Sequence, residues 1–437
     1  MDQLKDRYFF RNVAGVSLVE FFWGLGFPIV LESTFLQLFL KHLGASSFLI
    51  GLVPSIFVIG ISCFPLFSSY LSRNLVRKRG LVIILHLVSA LSILFFGLIL
   101  LAWGKPEGVL PIFFISYALF SICIGLTIPV WLNYLVRIFS ESRTVPGLGY
   151  MMLCQNIAKV LSSFLILGIV ERYSFSVQAS GWIFIGAGCF FLMGSLGFLI
   201  NREIVEDTTV PADNTSFLVH TRTAFKEIVT NKKFLIFLAA ADIEFTIILT
   251  SLSFYANYAT SYYQVSPAIA AGAFVACIYG GSITVNILLG AMNLLQLREK
   301  FILSKILTLI ALILLCIIPG YLTFFLVSYM LGFVRAIRNM VYPPSVKQFA
   351  TREDTTSYFA LGPFLTLPLT VGYPLAFGKT LDLLEHLGAA AYKTVFGFSA
   401  TIACIALFLA FRTDYQTGTQ VKTDQAADGN SHSDTTL

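Results

Sequence analysis

The feature that most constrains this chain is the recurrence of apolar runs long enough to cross a bilayer. A hydrocarbon layer of ~30 Å needs ~20 residues at ~1.5 Å each. Such runs fall at 12–38, 48–70, 81–102, 109–134, 146–170, 179–200, 234–262, 267–292, 301–319, 321–346, 355–378 and 391–411. Lipid offers no partner to a backbone N–H or C=O, so each run must be helical. The expected fold class is an all-α membrane protein with 12 transmembrane helices. Composition agrees: charged residues are 12% of the chain, about half of what a soluble globular protein carries.

The longest polar break is 201–233, read as a linker between two six-helix bundles, 1–200 and 234–411. The stretch 412–437 has almost no apolar residues and reads as a disordered tail. Lysine and arginine set the orientation. With the N-terminus in the cytoplasm, the outer loops hold only Lys41, Lys105, Arg172, Lys379 and Lys393. Every other basic residue falls on the inner side except Lys159, which lies mid-span. Both termini and the linker are therefore expected in the cytoplasm, and the short loops suggest a bacterial inner membrane. The Asn214-Thr215-Ser216 sequon falls in that linker and carries no meaning there. The seven cysteines all lie in apolar runs and show no metal-type spacing, so neither a disulfide framework nor a metal site is expected. The mixed-charge start MDQLKDRYFFRN does not resemble a cleavable signal.

The two halves resemble each other. Val19-Glu20-Phe21 in the first span matches Ile243-Glu244-Phe245 in the seventh. Gly51 and Gly60 match Gly272 and Gly281, and Arg77 and Arg79 then fall on Arg298 and Lys300. Phe113 to Tyr117 resembles Phe324 to Tyr329 with a one-residue slip. The common order and near-constant offset make this a parallel repeat of six spans, the build of many transporters. Twelve spans in two sixes, a polar central loop and a basic loop after span two resemble the major facilitator superfamily, over the chain to about residue 411. That family's loop motif reads Gly-x-x-x-Asp-Arg-x-Gly-Arg-Arg/Lys. Here Ser68 to Gly80 keeps the basic end, Arg73, Arg77 and Arg79, but lacks the acidic residue and displaces the glycines. Those three arginines are expected at an inner gate. The resemblance implies that the first, fourth, seventh and tenth spans line a central cavity, and that the protein is a monomer.

The sequence independently places polar groups in those spans. An ionised carboxylate in hydrocarbon is costly and marks a cavity or a partner charge. Glu20 is central in the first span, on a face with Ser17, Trp23, Gly24, Phe27 and Thr34; Glu32 lies nearer the outer end and reads as a gate residue. In the seventh span Glu244, Ser251, Tyr255, Tyr258 and Tyr262 form one stripe at ~100° per residue. An interfacial aromatic belt explains Tyr262 but not Tyr255, so Tyr255 and Tyr258 are read as cavity lining. Asp242 points elsewhere, towards a neighbouring helix. In the tenth span Arg335 and Asn339 share a face, with Arg338 beside them. An arginine there offers a fork of donors to Glu244, Asp242 or an anionic solute. Lys159 in the fifth span has no counterpart in the eleventh, which suits solute binding or a salt bridge to Glu20. Trp131 and Asn133 in the fourth span are weaker candidates, and His86 reads as a packing residue. Small residues of the eighth span, Gly272, Ala276, Gly280, Ser282 and Gly290, allow close helix approach. Pro363, Pro368 and Pro374 loosen the eleventh.

Nucleotide-driven pumping is excluded. Gly372 to Thr380 has five residues between its glycines where a phosphate loop needs four. No hydrolase or zinc-protease motif occurs, so an enzyme is not expected, and neither is a cofactor or a nucleic-acid partner. The reading is a secondary active transporter of a small anionic or zwitterionic organic solute, coupled to protons through Glu20 and Glu244. A proton-driven drug or metabolite exporter and a non-transporting sensor of the same fold are the alternatives.

Overall fold

The computed structural model describes residues 2–31, 33–72, 75, 77–103, 108–204, 217–351 and 356–415. Glu32, Arg73, the Asn214 sequon, residues 205–216 of the linker and the tail beyond Tyr415 lie outside them. The described residues are almost wholly helical, with no strand among them. Twelve helices are long and apolar enough to cross a membrane: Phe9–Val30, Ser47–Tyr70, Arg79–Trp103, Val109–Leu135, Pro146–Tyr173, Val177–Gly197, Lys232–Tyr262, Ile269–Ala291, Leu297–Ile317, Tyr321–Phe349, Tyr358–Leu383 and Ala389–Arg412. They are numbered here as the first to twelfth spans.

Side chains that offer hydrogen bonds start several of these helices, as orphan N–H groups require. Ser176 caps the sixth span through the Ala179 N–H, and Asn231 caps the seventh through the Phe234 N–H. Gln296 and Glu299 form a capping box on the ninth. Two expectations about these elements need correction, one is sharpened and one feature is new. The first apolar stretch is two helices, Phe9–Val30 and Ser33–His42, and the second ends at Gly44, whose φ of 82° favours glycine. The ninth span begins at Leu297 rather than 301, so Lys305 lies two turns inside it and belongs with the intramembrane charges. The eleventh span breaks at Thr366, just before Pro368, which has no N–H for the carbonyl one turn back. The eighth span begins and ends in π-helical turns, Ile269–Ala273 and Asn286–Ala291.

Packing follows a two-fold exchange. The first span packs on the fifth and sixth, the second on the fourth, and the third on the sixth. Correspondingly the seventh packs on the eleventh and twelfth, the eighth on the tenth, and the ninth on the twelfth. The halves meet where the second span lies on the eleventh and where its counterpart, the eighth, lies on the fifth. Glycines set these approaches. A Cβ on Gly51 would stand 2.3 Å from the Pro374 carbonyl oxygen, and one on Gly378 would stand 2.2 Å from that of Ser47. At the other seam a Cβ on Gly272 would stand 2.5 Å from the Ser163 oxygen.

The two ends of the bundle differ. The termini and the linker share one end, where Asp6 pairs with Arg143 and Lys233 with Asp414. At the far end the halves are tied together. Asp382 of the eleventh span accepts from the backbone N–H groups of Ser47 (2.7 Å) and Phe48 (2.9 Å), at the start of the second span. Lys41 donates to Ser261, and helix Ser33–His42 packs on the seventh span. Burial pushes the Lys41 ammonium down from the usual lysine value, against the opposing pull of Glu385. One apolar core runs through the N-terminal half and across into the far part of the other, from Phe35 and Phe39 to Tyr255 and Phe324. A second core, around Phe237, Phe301 and Phe349, fills the terminal end of the C-terminal half alone, with Leu66 packed against it from the second span.

Candidate solute and ion site at the interface of the halves

Glu20 stands near the middle of the first span and is only 7% exposed. Its carboxylate accepts from the Gln155 side-chain amide, and Lys159, one turn further along the fifth span, acts on it through space. The fifth span is held close enough for this by Gly24, where a Cβ would stand 2.7 Å from the Gln155 carbonyl oxygen. Lys159 is half-buried at the seam between the halves. Its ammonium lies 5.3 Å from the Phe27 ring centre in its own half and 5.2 Å from the Tyr279 ring centre in the other. Arg335 of the tenth span reaches the same Tyr279 ring at 5.9 Å. Both distances are within the ~6 Å over which a ring face attracts a cation. One carboxylate, one amide, two cations and one phenol ring thus converge near mid-helix on four spans.

Tyr279 is held by its backbone. A Cβ on Gly281 would stand 2.1 Å from the Tyr329 oxygen, and one on Gly332 would stand 1.9 Å from the Ile278 oxygen. The Ser282 hydroxyl donates to the Gly332 carbonyl at 3.0 Å. The eighth and tenth spans therefore touch backbone to backbone, and Tyr279 and Arg335 keep a fixed relation.

The other intramembrane charges form two paired sets inside the C-terminal half. Glu244 does not face the interface with Glu20. It is 1% exposed and pairs with Lys305 of the ninth span, also 1% exposed. Thr308 donates to it at 3.1 Å and Ser304 at 3.3 Å. The helical phase of the seventh span predicts a cavity-facing Glu244, but the ninth span brings the buried Lys305 to that carboxylate. Asp242 pairs with Arg338 at 2.9 Å, not with Arg335, and accepts from Thr366 at 2.6 Å, at the break in the eleventh span. The Arg338 guanidinium also lies 4.0 Å from the Phe245 ring centre.

Tyr255 and Tyr258 are fully buried packing residues rather than lining. Tyr255 bonds to Ser328 at 3.0 Å and stacks on Phe274; Tyr258 bonds to Tyr263 at 3.1 Å and stacks on Tyr392 at 4.9 Å. Trp131 is half-buried against the N-terminal core, and Asn339 is exposed. His86 stacks edge-on against Trp23 and Phe198 and bonds the Val82 carbonyl. Of the basic-loop residues described, Arg77 is exposed. Arg79 donates to the Asn201 carbonyl at 2.8 Å, and the Lys78 and Arg79 N–H groups donate to Glu203 at 2.8 and 3.0 Å. Arg137 lies 3.7 Å from the same carboxylate. The loop is clamped within its own half by an acid from the exit of the sixth span, not by one inside the loop. Glu32 and Arg73, the other gate candidates, lie outside the described residues.

The pattern of the Major Facilitator Superfamily matches residues 16–366. The chain belongs to the Major Facilitator Superfamily. Solved structures of the same fold include the nucleoside transporter NupG, with a TM-score of 0.67 at 14% identity over 92% of this chain and 98% of that one. A POT family transporter in complex with 5-aminolevulinic acid gives 0.66 at 13%, over 92% and 96%. A bacterial homolog of the human lysosomal transporter Spinster, inward-facing and unoccupied, gives 0.64 at 12%, over 94% and 96%. No curated protein sequence matches the chain. Within this superfamily fold, Tyr279, Lys305, Thr366, Glu203 and Asp382 went unread in the sequence. Lys305 had a signal: it falls inside the apolar run 301–319. Tyr279 had another, seven residues beyond Gly272 and so on the face that meets the fifth span.

Proposed function

We propose that the chain is a secondary active transporter. It moves a small anionic or zwitterionic organic solute by alternating access between the halves 1–200 and 234–411, coupled to protons. The observation that carries this reading is the pair of cations from opposite halves, Lys159 and Arg335, on the one Tyr279 ring beside Glu20. An anionic group bound there engages both halves at once, which ties solute binding to their relative position. Burial favours the neutral form of a carboxylate. A proton on Glu20 would weaken its attraction for Lys159 and so change how strongly that ammonium meets the solute. The far-end ties and the within-half pairs at the terminal end suit a state open towards the termini. The lysine and arginine distribution supports placing that end in the cytoplasm, with a bacterial inner membrane as the setting.

The test is a thermal-shift screen of small anions, zwitterions and cations on purified protein, repeated on Arg335→Ala and Lys159→Ala. Anionic or zwitterionic compounds are expected to stabilise the parent and neither variant. Stabilisation by cations alone, unchanged in both variants, would overturn the solute class. A hit is then carried into proteoliposomes with and without a pH gradient.

A further inference from the structure

The fifth and sixth spans are consecutive and joined by three residues, yet they barely touch, because the first span packs between them. A groove of about 590 Å³ opens there. Its floor is Ile29 of the first span, its walls are Leu165, Ile166 and Ile169 on one side and Ile183 and Phe190 on the other. Gly186 widens it: a Cβ there would meet nothing within 4 Å. The volume is that of a small-molecule site. The lining is apolar along its length, and the Ser162 hydroxyl is turned inward to the Leu25 carbonyl at 2.5 Å. Polar groups gather only at the far-end mouth, where Ser176, Gln178 and the exposed Tyr173 lie, with Trp182 61% exposed beside them.

We infer that this groove binds one acyl chain of a membrane phospholipid, with the headgroup at the Ser176–Gln178 mouth. The occupant follows from the polarity gradient and the setting. The groove lies along two spans and opens outward from the bundle at hydrocarbon depth. It is apolar where the chain runs and polar where a headgroup sits, with aromatic residues at the boundary as in interfacial belts. A second copy of the chain would offer an apolar helix of uniform character and leave the mouth unmatched. The chain would fill a space that no protein side chain fills. It would also buttress the fifth span within two turns of Lys159, so lipid would support the interface site without touching it. The inference does not depend on the solute or on proton coupling.

The test uses the full chain, stripped of lipid in detergent and titrated with phosphatidylglycerol or phosphatidylethanolamine whose chains are brominated. Quenching of tryptophan fluorescence through Trp182 is expected to saturate near one lipid per chain, with a rise of a few degrees in Tm. Gly186→Leu sends a side chain into the groove from a Cβ position with open space around it. It should raise the Tm of the stripped protein and abolish both the saturating quenching and the lipid-dependent shift. Ala179→Leu is the second variant should the first not fold, with the same outcome expected. Saturable quenching and a Tm shift that survive in these variants would overturn the assignment. So would quenching that rises without saturation, or cross-linking of the groove to a second copy. Loss of solute binding in Arg335→Ala with lipid binding intact separates this inference from the transport reading.

Discussion

Glu20 has a donor in Gln155 and a cation in Lys159, and Lys159 also faces Tyr279 across the seam. Its charge is therefore shared with a group whose position depends on the other half, which is what a coupling residue needs. Glu20→Gln keeps the shape and removes the titration. In proteoliposomes it should abolish accumulation driven by a pH gradient while leaving solute exchange; unchanged gradient-driven uptake would remove Glu20 from the coupling. Glu244 is different. Its partner Lys305 and donors Thr308 and Ser304 all lie within one half. Removing one member of a buried ion pair leaves an uncompensated charge and costs ~3–5 kcal/mol, whereas replacing both is often near neutral. Lys305→Met should therefore lower the Tm more than the double variant Lys305→Met with Glu244→Gln. If the double variant is the less stable, the pair does more than satisfy itself. The sequence showed the charges but not their partners. Helical phase orients Glu244 on its own helix, whereas its partner depends on where the ninth span starts and how it turns, and apolar composition sets neither. Arg335 and Arg338 illustrate the same limit: both lie within the tenth span, yet it is Arg338, not Arg335, that holds Asp242.

At the scale of elements, hydropathy makes helices legible and leaves their interruptions obscure. All twelve spans were readable because lipid admits no alternative backbone. The loosening of the eleventh span follows from its prolines, but the split of the first stretch and the π turns of the eighth span are not legible, since each depends on neighbours that re-satisfy the freed backbone groups. The far-end tie belongs here. The Asp382 carboxylate accepts from two N–H groups at the start of the second span, where orphan donors and the helix dipole favour an anion. Loss of such a cap costs ~0.5–2 kcal/mol, and here the cost falls only on the state in which the far ends meet. Asp382→Asn should shift the population towards far-end opening, by about twofold to at most about thirtyfold, since ~1.4 kcal/mol is a factor of ten. Spin labels at Ser46 and Leu383, with the exposed Cys189 and Cys404 replaced, would read this as a longer distance; an unchanged distribution removes Asp382 from the gate. Gly332→Ala tests another contact. Its Cβ would stand 1.9 Å from the Ile278 oxygen, forcing the eighth and tenth spans apart and taking Tyr279 from Arg335. Solute binding should weaken severalfold in the thermal-shift assay, whereas Gly186→Ala, with open space around it, should leave it unchanged.

At the scale of the whole molecule, the exchange of contacts bears on the proposed movement of the halves. The second span against the eleventh and the eighth against the fifth are equivalent seams related by the internal repeat. Under the proposed alternating access, two such seams flanking one interface would act as paired bearings: rotation that opens one end would close the other without deforming either half. The pairs at the terminal end, Arg137 with Glu203, Arg143 with Asp6 and Lys233 with Asp414, all stay within one half. They can ride through such a rotation intact, while the contacts of Asp382 and Lys41 cannot. Distances across the far end, from Ser46 to Leu383, and across the terminal end, from Leu75 to Lys233, should therefore change with opposite sign. That should hold when Asp382→Asn is introduced or a solute from the screen is added. A distance within one half, from Leu75 to Arg202, should stay constant. Changes of the same sign at both ends, or a change within the half, would mean that the spans bend individually. Coupling through one shared ring at the interface would then lose its mechanical basis, because Tyr279 joins Lys159 and Arg335 only if each half carries its cation as a rigid body.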